Sequence, residues 1–294
     1  MKVGVVGLGS MGMGAALNLA RAGHQVTGCE IRESVWPELE AEGGRAVGAP
    51  DALPEALDAL IVFVVNAAQA EQVLSAGLGR VAAAGVVLNC TTVAPEAARK
   101  LASIVTQTGR LYLDAPVSGG SVAARKGAMS VMASGSAAAF DRAAPVLEAI
   151  AAKVWRLGDE PGVGSTVKMV NQLLAGVHIA AAGEAMALGI RAGADPQTLF
   201  EVISSSAGSS WMWQNRVPHI LEGDDTPLSA VNIFVKDLGI VLDQARSLTF
   251  PLPMAAAAHQ LFLAAAAHGE GAKDDAFVIR VWQALAGIDL PKPT

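Results

Sequence analysis

Three closely spaced glycines near the start of the chain place the strongest limit on its fold. They lie in the segment GLGSMG at residues 7–12, which follows an apolar run at residues 3–6 and leads directly into a segment with helical periodicity. In a strand, turn and helix of this kind, glycines permit a tight turn, and N–H groups at the helix start can bind a pyrophosphate. The segment therefore predicts a dinucleotide-binding βα unit, with a purely structural glycine turn as the alternative.

Short apolar runs alternate with helical segments through the N-terminal half. Such runs, separated by helices, are typical of the strands of a parallel sheet that is covered on both faces. The predicted strands are residues 3–6, 25–30, 60–66, 86–91, 111–115 and 128–133, and the predicted helices include residues 11–22 and 137–150. The sequence thus predicts an α/β fold with an N-terminal Rossmann-type doubly wound sheet.

The pattern changes after the turn-rich segment 158–164. A long apolar helix is predicted from residue 165 to about residue 192, and strand signals nearly vanish beyond it. Asp195 and Pro196 fit an N-cap followed by proline at the first position of the next helix. Further helices are predicted at residues 232–248 and 254–267. We therefore predict a dinucleotide-binding domain at residues 1–162 and an all-helical substrate or oligomerisation domain at residues 163–294.

Charge and composition limit the partners. The formal net charge is −6 and no block of Lys or Arg is present, which argues against nucleic acid and anionic membranes because both require a concentrated basic surface. A small molecule is the expected partner. The apolar stretch at residues 173–190 contains His178 and Glu184, so a buried helix is a simpler interpretation than a membrane span.

The cysteines and histidines indicate the cellular compartment and whether the protein binds a metal ion. Cys29 and Cys90 end apolar runs, which indicates buried thiols and a reducing, cytoplasmic environment. The five histidines show no metal-ligand spacing, so no metal is predicted. Alanine-rich helices imply exposed apolar area, which favours a homodimer or a homotetramer.

Glu30 bears on the choice of cofactor. It ends the second predicted strand, about twenty residues beyond the glycine turn, where a carboxylate would accept hydrogen bonds from the adenosine ribose. A carboxylate there repels a 2′-phosphate, so NAD is preferred. Arg32 favours the alternative, NADP, because it could pair with that phosphate, although it also fits a solvated loop arginine.

Two further groups of residues could act on a substrate. Spacings of three and four place Lys168, Asn171 and Gln172 on one face of the long helix, where a lysine could move a proton on a substrate oxygen while an amide holds the substrate. A helix start with solvated polar residues is the alternative.

The turn at residues 118–120 could bind a carboxylate through N–H groups and a hydroxyl, or it could be an ordinary Gly-Gly turn. Lys236 and Asp237 could form an exposed ion pair.

Five segments together resemble the β-hydroxyacid dehydrogenase family, which includes 3-hydroxyisobutyrate dehydrogenase and, more distantly, 6-phosphogluconate dehydrogenase. The segments are residues 7–19, 90–95, 114–120, 162–188 and 234–243. Motifs in this order are far more specific than any one of them, and the resemblance runs through the whole chain. It implies an NAD(P)-dependent dehydrogenase that acts on the CH–OH group of a small hydroxy acid.

The resemblance also implies roles for individual residues. Lys168 would be the catalytic acid/base, and a lysine can act as a base near neutral pH if burial and neighbouring dipoles lower its pKa. Substrate binding would fall to Ser118, Gly119, Gly120 and Asn171. The cofactor would be bound by Gly7, Leu8, Gly9, Ser10, Met11, Gly12, Glu30, Ile31, Arg32, Val64, Val65, Gln69, Thr92 and Lys236.

Within this family, residues 205–224 are similar to NAD-dependent enzymes that oxidise the C2 hydroxyl of a four-carbon sugar acid. Trp213, Gln214 and Asn232 stand where we expect phenylalanine and two acids, so the preferred acid would differ if Gln214 or Asn232 faces the substrate. A 2-hydroxy-3-oxopropionate (tartronate semialdehyde) reductase and a 3-hydroxyisobutyrate dehydrogenase are the enzymatic alternatives. An alternative from another class is a non-catalytic NAD(H)-sensing regulator.

Overall fold

Six strands in the first part of the chain form a parallel sheet in the order β3-β2-β1-β4-β5-β6 in the computed structural model, which describes residues 1–291. The strands are β1 Lys2–Val6, β2 Gln25–Cys29, β3 Arg45–Val47, β4 Leu57–Val62, β5 Val81–Asn89 and β6 Leu111–Asp114. Between β1 and β4 the strand order reverses, which in open parallel sheets creates a crevice at the carboxyl ends of the strands.

Helices cover both faces of this sheet. They are α1 Ser10–Arg21, α2 Trp36–Glu40, α3 Ala67–Gly77, α4 Pro95–Thr106, α5 Gly120–Arg125 and α6 Ala137–Ile150. Successive residues of β5 belong to different core clusters, with Val86 and Leu88 on one side and Val87 on the other. Because side chains alternate along a strand, each face of the sheet has its own apolar core, as predicted for a doubly wound fold.

A second, small sheet follows the large one. It contains β7 Val117–Ser118, β8 Met129–Ala133 and β9 Ala151–Arg156, with β7 antiparallel and β9 parallel to β8. Neither β3 nor β9 was predicted, because β3 has only three residues and β9 is largely exposed. The predicted strand at residues 60–66 was wrong at its end, since Asn66 caps α3 by accepting a hydrogen bond from the Gln69 N–H at 2.9 Å.

The described residues beyond β9 form helices and their connections. The helices are α7 Val163–Arg191, α8 Pro196–Ser204, α9 Trp211–Glu222, α10 Val231–Ser247, α11 Pro253–Ala265 and α12 Arg280–Ala286, with a π-helical segment at Ala266–Glu270 and a 3₁₀ helix at Asp275–Ile279. Asp195 caps α8, accepting a hydrogen bond from the Thr198 N–H at 2.8 Å. The predicted fold class is confirmed in both halves.

Contacts divide the chain into two units, Met1–Met169 and Val170–Thr294. The predicted boundary after residue 162 lies at the start of α7, and the division falls within that helix. Helix α7 has the length and apolarity of a membrane span by composition alone, and 44% of its most apolar stretch is buried within the protein. The absence of a membrane partner stays a prediction.

Charged side chains connect the elements of the helical unit. Arg216 on α9 donates to both carboxylate oxygens of the fully buried Asp275, at 2.5 and 3.1 Å. The neighbouring Asp274 accepts hydrogen bonds from the Leu228 N–H at 2.9 Å and from His219 Nδ1 at 3.1 Å. The hydrogen bond to Asp274 raises the pKa of His219. Burial by itself would raise the pKa of Asp274, but the hydrogen-bond donors around it, led by His219, lower the pKa of Asp274 below its ordinary value. These ion pairs join α9 to the segment at Asp274 and Asp275 beyond α11, and the Leu228 hydrogen bond joins that segment to the connection before α10.

The pair of His219 and Asp274 makes the stability of the helical unit depend on pH. A histidine with a raised pKa stabilises the fold below its unfolded pKa, about 6.5, and loses that contribution as the pH rises through its folded pKa. An aspartate with a lowered pKa contributes above its unfolded pKa, about 3.9, and loses its contribution as the pH falls through the folded value. Their joint contribution is therefore largest near pH 5–6, roughly between those values.

We expect His219→Gln to lower the free energy of unfolding by about 1.5 kcal/mol near pH 6, the scale of a hydrogen bond to a charged group, and by less than half of that near pH 8.5. Calorimetric unfolding at both pH values measures the difference. His268→Gln is the control, because His268 is exposed and its Nδ1 bonds to the Ala264 carbonyl, one turn earlier in the chain. Equal losses at the two pH values would contradict the prediction.

Candidate active site

The glycine turn after β1 is built from close backbone contacts. Gly7 has φ +90°, and a Cβ there would lie 2.3 Å from the Phe63 carbonyl oxygen. A Cβ on Gly12 would lie 1.9 Å from the carbonyl oxygen of Gly7. Since real Cβ atoms do not approach backbone atoms so closely, only glycine fits at these two positions. They allow the turn to pack directly against the residue after β4 and against the first turns of α1.

Gly9 differs from its two neighbours in the motif. Its φ is an ordinary −75°, and a Cβ built on it meets nothing within 4 Å. Gly9 is the N-cap of α1 with no side-chain cap, and the first turn of α1 carries no acidic residue. The positive end of a helix therefore faces open space that a side chain would fill, which fits the pyrophosphate of a dinucleotide.

The predicted cofactor residues of the first unit follow the carboxyl ends of four parallel strands, whereas Lys236 lies on α10 of the second unit. Glu30 follows β2, Val64 follows β4 and Thr92 follows β5, while the glycine turn follows β1. The Val64 N–H donates to Thr91 Oγ1 at 3.3 Å, which ties the last two loops together. Strands β1 and β4 flank the reversal of strand order, so these loops border the crevice where parallel sheets of this type bind ligands.

Exposure distinguishes the other predicted cofactor residues. Ile31 is 84% exposed and Val65 is 51% exposed, whereas the side chain of Leu8 is buried in the core. Only the backbone of Leu8 can therefore face a ligand. The Val65 N–H donates to Gln69 Oε1 at 2.9 Å, so Gln69 supports the loop after β4.

Glu30 is held by donors from its own segment and from the glycine turn after β1. Its carboxylate accepts hydrogen bonds from the N–H groups of Leu8 and Arg32, each at 3.1 Å, and from two nitrogens of the Arg32 guanidinium, also at 3.1 Å. Burial would raise the pKa of Glu30, but the Arg32 and Leu8 donors lower it below its ordinary value. Glu30 is thus a carboxylate near neutral pH, as a ribose-binding residue requires.

The turn between β7 and α5 requires glycine at two successive positions. Gly119 has φ +125° and Gly120 has φ +68°, and a Cβ on Gly119 would lie 2.6 Å from that of Ala123. Helix α5 also packs closely on α1, because Asn18 Nδ2 donates to the Ala124 carbonyl at 2.8 Å. The structure therefore holds Ser118, Gly119 and Gly120 next to a helix that packs on α1; their binding of a carboxylate stays a prediction.

The start of α7 is fixed by Asp114, the last residue of β6. Oδ2 of Asp114 accepts hydrogen bonds from the N–H groups of Gly162 and Ser165, both at 2.9 Å, and Oδ1 accepts from the Ser165 hydroxyl at 2.7 Å. Ser134 Oγ donates to Asp114 at 3.4 Å and accepts from the Gly164 N–H at 3.0 Å. A buried carboxylate therefore satisfies the free N–H groups at the positive end of a helix.

Burial is the main influence on the charge of Asp114. The side chain is fully buried, and this burial raises the pKa of Asp114 even though Ser165, Gly162 and Ser134 donate to it. A Cβ on Gly164 would lie 2.3 Å from the carbonyl oxygen of Met132 in β8. The first turn of α7 thus packs directly on the small sheet.

Lys168 lies one turn beyond Ser165 on α7 and is 6% exposed, while Gln172, one turn further on, is 8% exposed. The alternative of a helix start with solvated polar residues is therefore wrong. A lysine this deeply buried needs polar surroundings, because burying a charged group without them is costly. Lys168 is thus a buried lysine on α7, and its catalytic role stays a prediction.

The amide of Asn171 belongs to a row of hydrogen bonds that ends at Asp237 on α10. Gln172 Nε2 donates to Asp237 Oδ2 at 2.6 Å, and Asn171 Nδ2 donates to Gln172 Oε1 at 3.1 Å. Because a carboxylate only accepts, the direction of both bonds is set by Asp237. The Nδ2 of Asn171 is thus engaged within the protein, and binding of a substrate by Asn171 stays a prediction.

Asp237 itself is 2% exposed and also contacts the ammonium group of Lys236. The interpretation of Lys236 and Asp237 as an exposed ion pair is therefore wrong for Asp237.

Sequence reasoning also missed the roles of Asp114, Ser134 and Ser165. The available signal was an aspartate directly after an apolar strand, since a carboxylate in such a place needs buried donors.

The unusual residues of the helical unit have structural partners. Gln214 is exposed and donates to the Ser204 carbonyl at 3.3 Å and to Ser209 Oγ at 3.1 Å. Trp213 is buried and stacks on Phe200. Asn232, in the first turn of α10, is exposed, and its amide lies against Gly271. These contacts support the α8–α9 connection and the start of α10.

An open helix N-terminus at the reversal of a parallel sheet, an anionic residue after β2 and a buried lysine together define a dinucleotide-dependent oxidoreductase. Two family models match this chain. Residues 2–158 match the NAD-binding domain of 6-phosphogluconate dehydrogenase, and residues 162–282 match the model described as NAD-binding of NADP-dependent 3-hydroxyisobutyrate dehydrogenase.

Known proteins of the same family are similar to this chain over almost its whole length. L-threonate dehydrogenase from Cupriavidus necator is 52% identical over 98% of this chain and 97% of the relative, and that of Escherichia coli strain K12 is 50% identical over 98% and 96%. A crystal structure of 3-hydroxyisobutyrate dehydrogenase from Salmonella typhimurium has a TM-score of 0.91 at 48% identity, covering 96% of this chain and 99% of that one. This chain belongs to the 3-hydroxyisobutyrate dehydrogenase family of β-hydroxyacid dehydrogenases. It is an NAD(P)-dependent dehydrogenase that acts on the CH–OH group of a small hydroxy acid.

We expect Asp114→Asn to lower the free energy of unfolding by about 1–3 kcal/mol, because the N–H groups of Gly162 and Ser165 would bond to a neutral amide oxygen instead of a carboxylate, a loss of roughly 0.5–1.5 kcal/mol each. Urea unfolding followed by circular dichroism measures the loss. Asp141→Asn, on the exposed side of α6, is the matched control and should be neutral. Wild-type stability of Asp114→Asn would show that the carboxylate does not fix α7.

Proposed function

We propose that this enzyme oxidises the C2 hydroxyl of L-threonate with NAD⁺ to give 2-dehydro-L-erythronate (2-oxo-tetronate). The observation that carries the proposal is the burial of Lys168, one turn beyond the residues with which Asp114 fixes α7. The substrate is taken from relatives that are 46–52% identical over nearly the whole chain. The contacts of Gln214 and Asn232 support this choice, because these residues have structural partners within the helical unit.

In this mechanism, Lys168 accepts the proton of the C2 hydroxyl at its Nζ. A bound nicotinamide supplies the acceptor for the hydride that leaves C2, so the hydroxy acid becomes an oxo acid and one proton remains with the protein. Asn171 presents Oδ1 to a substrate hydroxyl, since its Nδ2 is engaged by Gln172. Ser118 and the N–H groups of Gly119 and Gly120 bind the substrate carboxylate. Such positioned groups act by orientation and by general acid/base catalysis.

We propose NAD as the cofactor because Glu30, which is anionic near neutral pH, suits ribose hydroxyls and repels a 2′-phosphate. The turn at residues 7–12 would bind the pyrophosphate, with Gly9 leaving it room. Ile31 and Arg32 would lie beside the adenosine, and Lys236 would close over the cofactor. The cofactor residues of the β4 and β5 loops are proposed to be Val64, Val65, Gln69 and Thr92.

Steady-state assays should give the highest kcat/KM with L-threonate and NAD⁺. We expect D-glycerate and 3-hydroxyisobutyrate to be at least about tenfold poorer, since one misplaced group in a binding pocket costs on the order of tenfold or more. Each acid is measured with both NAD⁺ and NADP⁺. A preference for 3-hydroxyisobutyrate would instead favour the activity named for the similar Salmonella structure, and a preference for D-glycerate would favour a 2-hydroxy-3-oxopropionate reductase.

Lys168→Ala should lower kcat by about 10²–10⁴-fold, the usual contribution of a general acid/base. NADH binding, measured by fluorescence titration, should be unchanged because Lys168 has no role in binding the dinucleotide. Lys153→Ala is the control, since Lys153 is exposed on β9. A Lys168→Ala enzyme with near-normal turnover would eliminate the assignment, and one that lost NADH binding would indicate a role in the fold.

We further propose that the enzyme acts in the cytoplasm, as a homodimer or a homotetramer, without nucleic acid or membrane partners. The net charge of −6 disfavours polyanionic partners. Several large apolar side chains of the helical unit are exposed, among them Leu174 at 50% and Leu188 at 70%, which favours self-association. Family membership argues against the NAD(H)-sensing regulator.

A further inference from the structure

The carboxylate of Glu30 has a complete set of hydrogen-bond donors within the protein. Oε1 accepts from the N–H and from the side-chain Nε of Arg32, and Oε2 accepts from the Leu8 N–H and from Arg32 Nη2. A carboxylate offers about four lone-pair positions, so all of them are used. The two hydroxyls of an adenosine ribose would also donate to this carboxylate. They can do so only if one of the protein donors gives up its hydrogen bond to Glu30.

Only one of the present donors is free to leave. The N–H groups of Leu8 and Arg32 belong to the backbone of the glycine turn and of the segment after β2. The Arg32 side chain, by contrast, is 58% exposed, whereas that of Glu30 is 9% exposed. Although this guanidinium bonds to both carboxylate oxygens, its long stem is exposed, so solvent screens the pair and the side chain can turn away without disturbing the backbone. Arg32 is therefore the donor that ribose hydroxyls would displace.

We propose that Arg32 competes with the adenosine ribose for Glu30, so that it weakens the binding of NAD while making the site tolerant of NADP. This inference rests on the proposed role of Glu30 as the ribose carboxylate. Once displaced, the guanidinium can bind a 2′-phosphate through paired N–H groups, the arrangement in which arginine binds phosphate most strongly. A ribose without that phosphate offers the displaced arginine no comparable partner.

The two cofactors should therefore respond in opposite directions when the guanidinium is removed. Arg32→Met keeps the apolar stem and removes the donors. We expect the Kd of NADH to fall by about two- to fivefold, since an exposed ion pair is worth roughly that factor. The Kd of NADPH should rise by about tenfold or more, because charge-assisted hydrogen bonds to the phosphate are lost. Isothermal titration of the purified enzyme with each nucleotide, without substrate, measures both values.

A matched control removes an arginine of the same kind elsewhere. Arg246 is exposed on α10 and pairs with Asp243 at 3.0 Å, so Arg246→Met changes the net charge equally and should leave both Kd values unchanged. Arg32→Lys keeps the charge without the paired donors, and it should bind NADPH less tightly than the wild type. A Kd for NADH that stays equal or rises in Arg32→Met would overturn the competition.

Glu30→Gln separates this inference from the proposed function. If Glu30 is the ribose carboxylate, Glu30→Gln should weaken NADH binding, and adding Arg32→Met to it should no longer tighten NADH, as a double-mutant cycle measures directly. Unchanged NADH binding in Glu30→Gln would overturn the proposed ribose site itself. Weakened binding in Glu30→Gln, with no gain in Arg32→Met, would overturn the competition alone.

Discussion

The carboxylate of Asp114 fixes the first turn of α7, the turn that precedes Lys168. The contact joins β6 to residues about fifty positions further along the chain. It combines two needs of the fold, because a buried carboxyl group at the end of the strand needs donors and the first N–H groups of the helix need acceptors. Lys168 lies one turn beyond this junction. The position of a lysine one turn into a helix depends on how firmly the first turn of that helix is held.

Local signals in the sequence predicted much of the fold correctly. Helix α6 matches its predicted bounds, since Ser136 caps it by accepting a hydrogen bond from the Ala139 N–H. The order of strands and helices, the glycine turn and the long apolar helix were equally visible, because periodicity and turn chemistry are local properties. Strand β9 was missed because its residues are largely exposed and lack an apolar alternation. The end of β4 was misplaced because the apolar run continues into the following loop.

The site was predicted less completely than the fold. Lys168, Asn171 and Gln172 could be placed on one helix face from their spacing, but their burial and partners could not. The partner of Gln172 is Asp237, 65 residues further along the chain, and no periodicity connects residues so far apart. Hydrogen bonds of this kind become visible only when the fold brings the elements together. The sequence therefore identified the groups that we propose for the chemistry and missed the side chains that hold Gln172 and the start of α7.

The three glycines of the first turn are required for two different reasons. Gly7 and Gly12 are needed by the backbone itself, since a larger residue at either position would collide with the main chain. Gly9 has an ordinary φ and open space in front of it, so the fold alone would accept other residues there. A descendant that lost the dinucleotide but kept the fold would be free to change Gly9 and obliged to keep the other two. One short turn thus carries separate selective pressures from folding and from ligand binding.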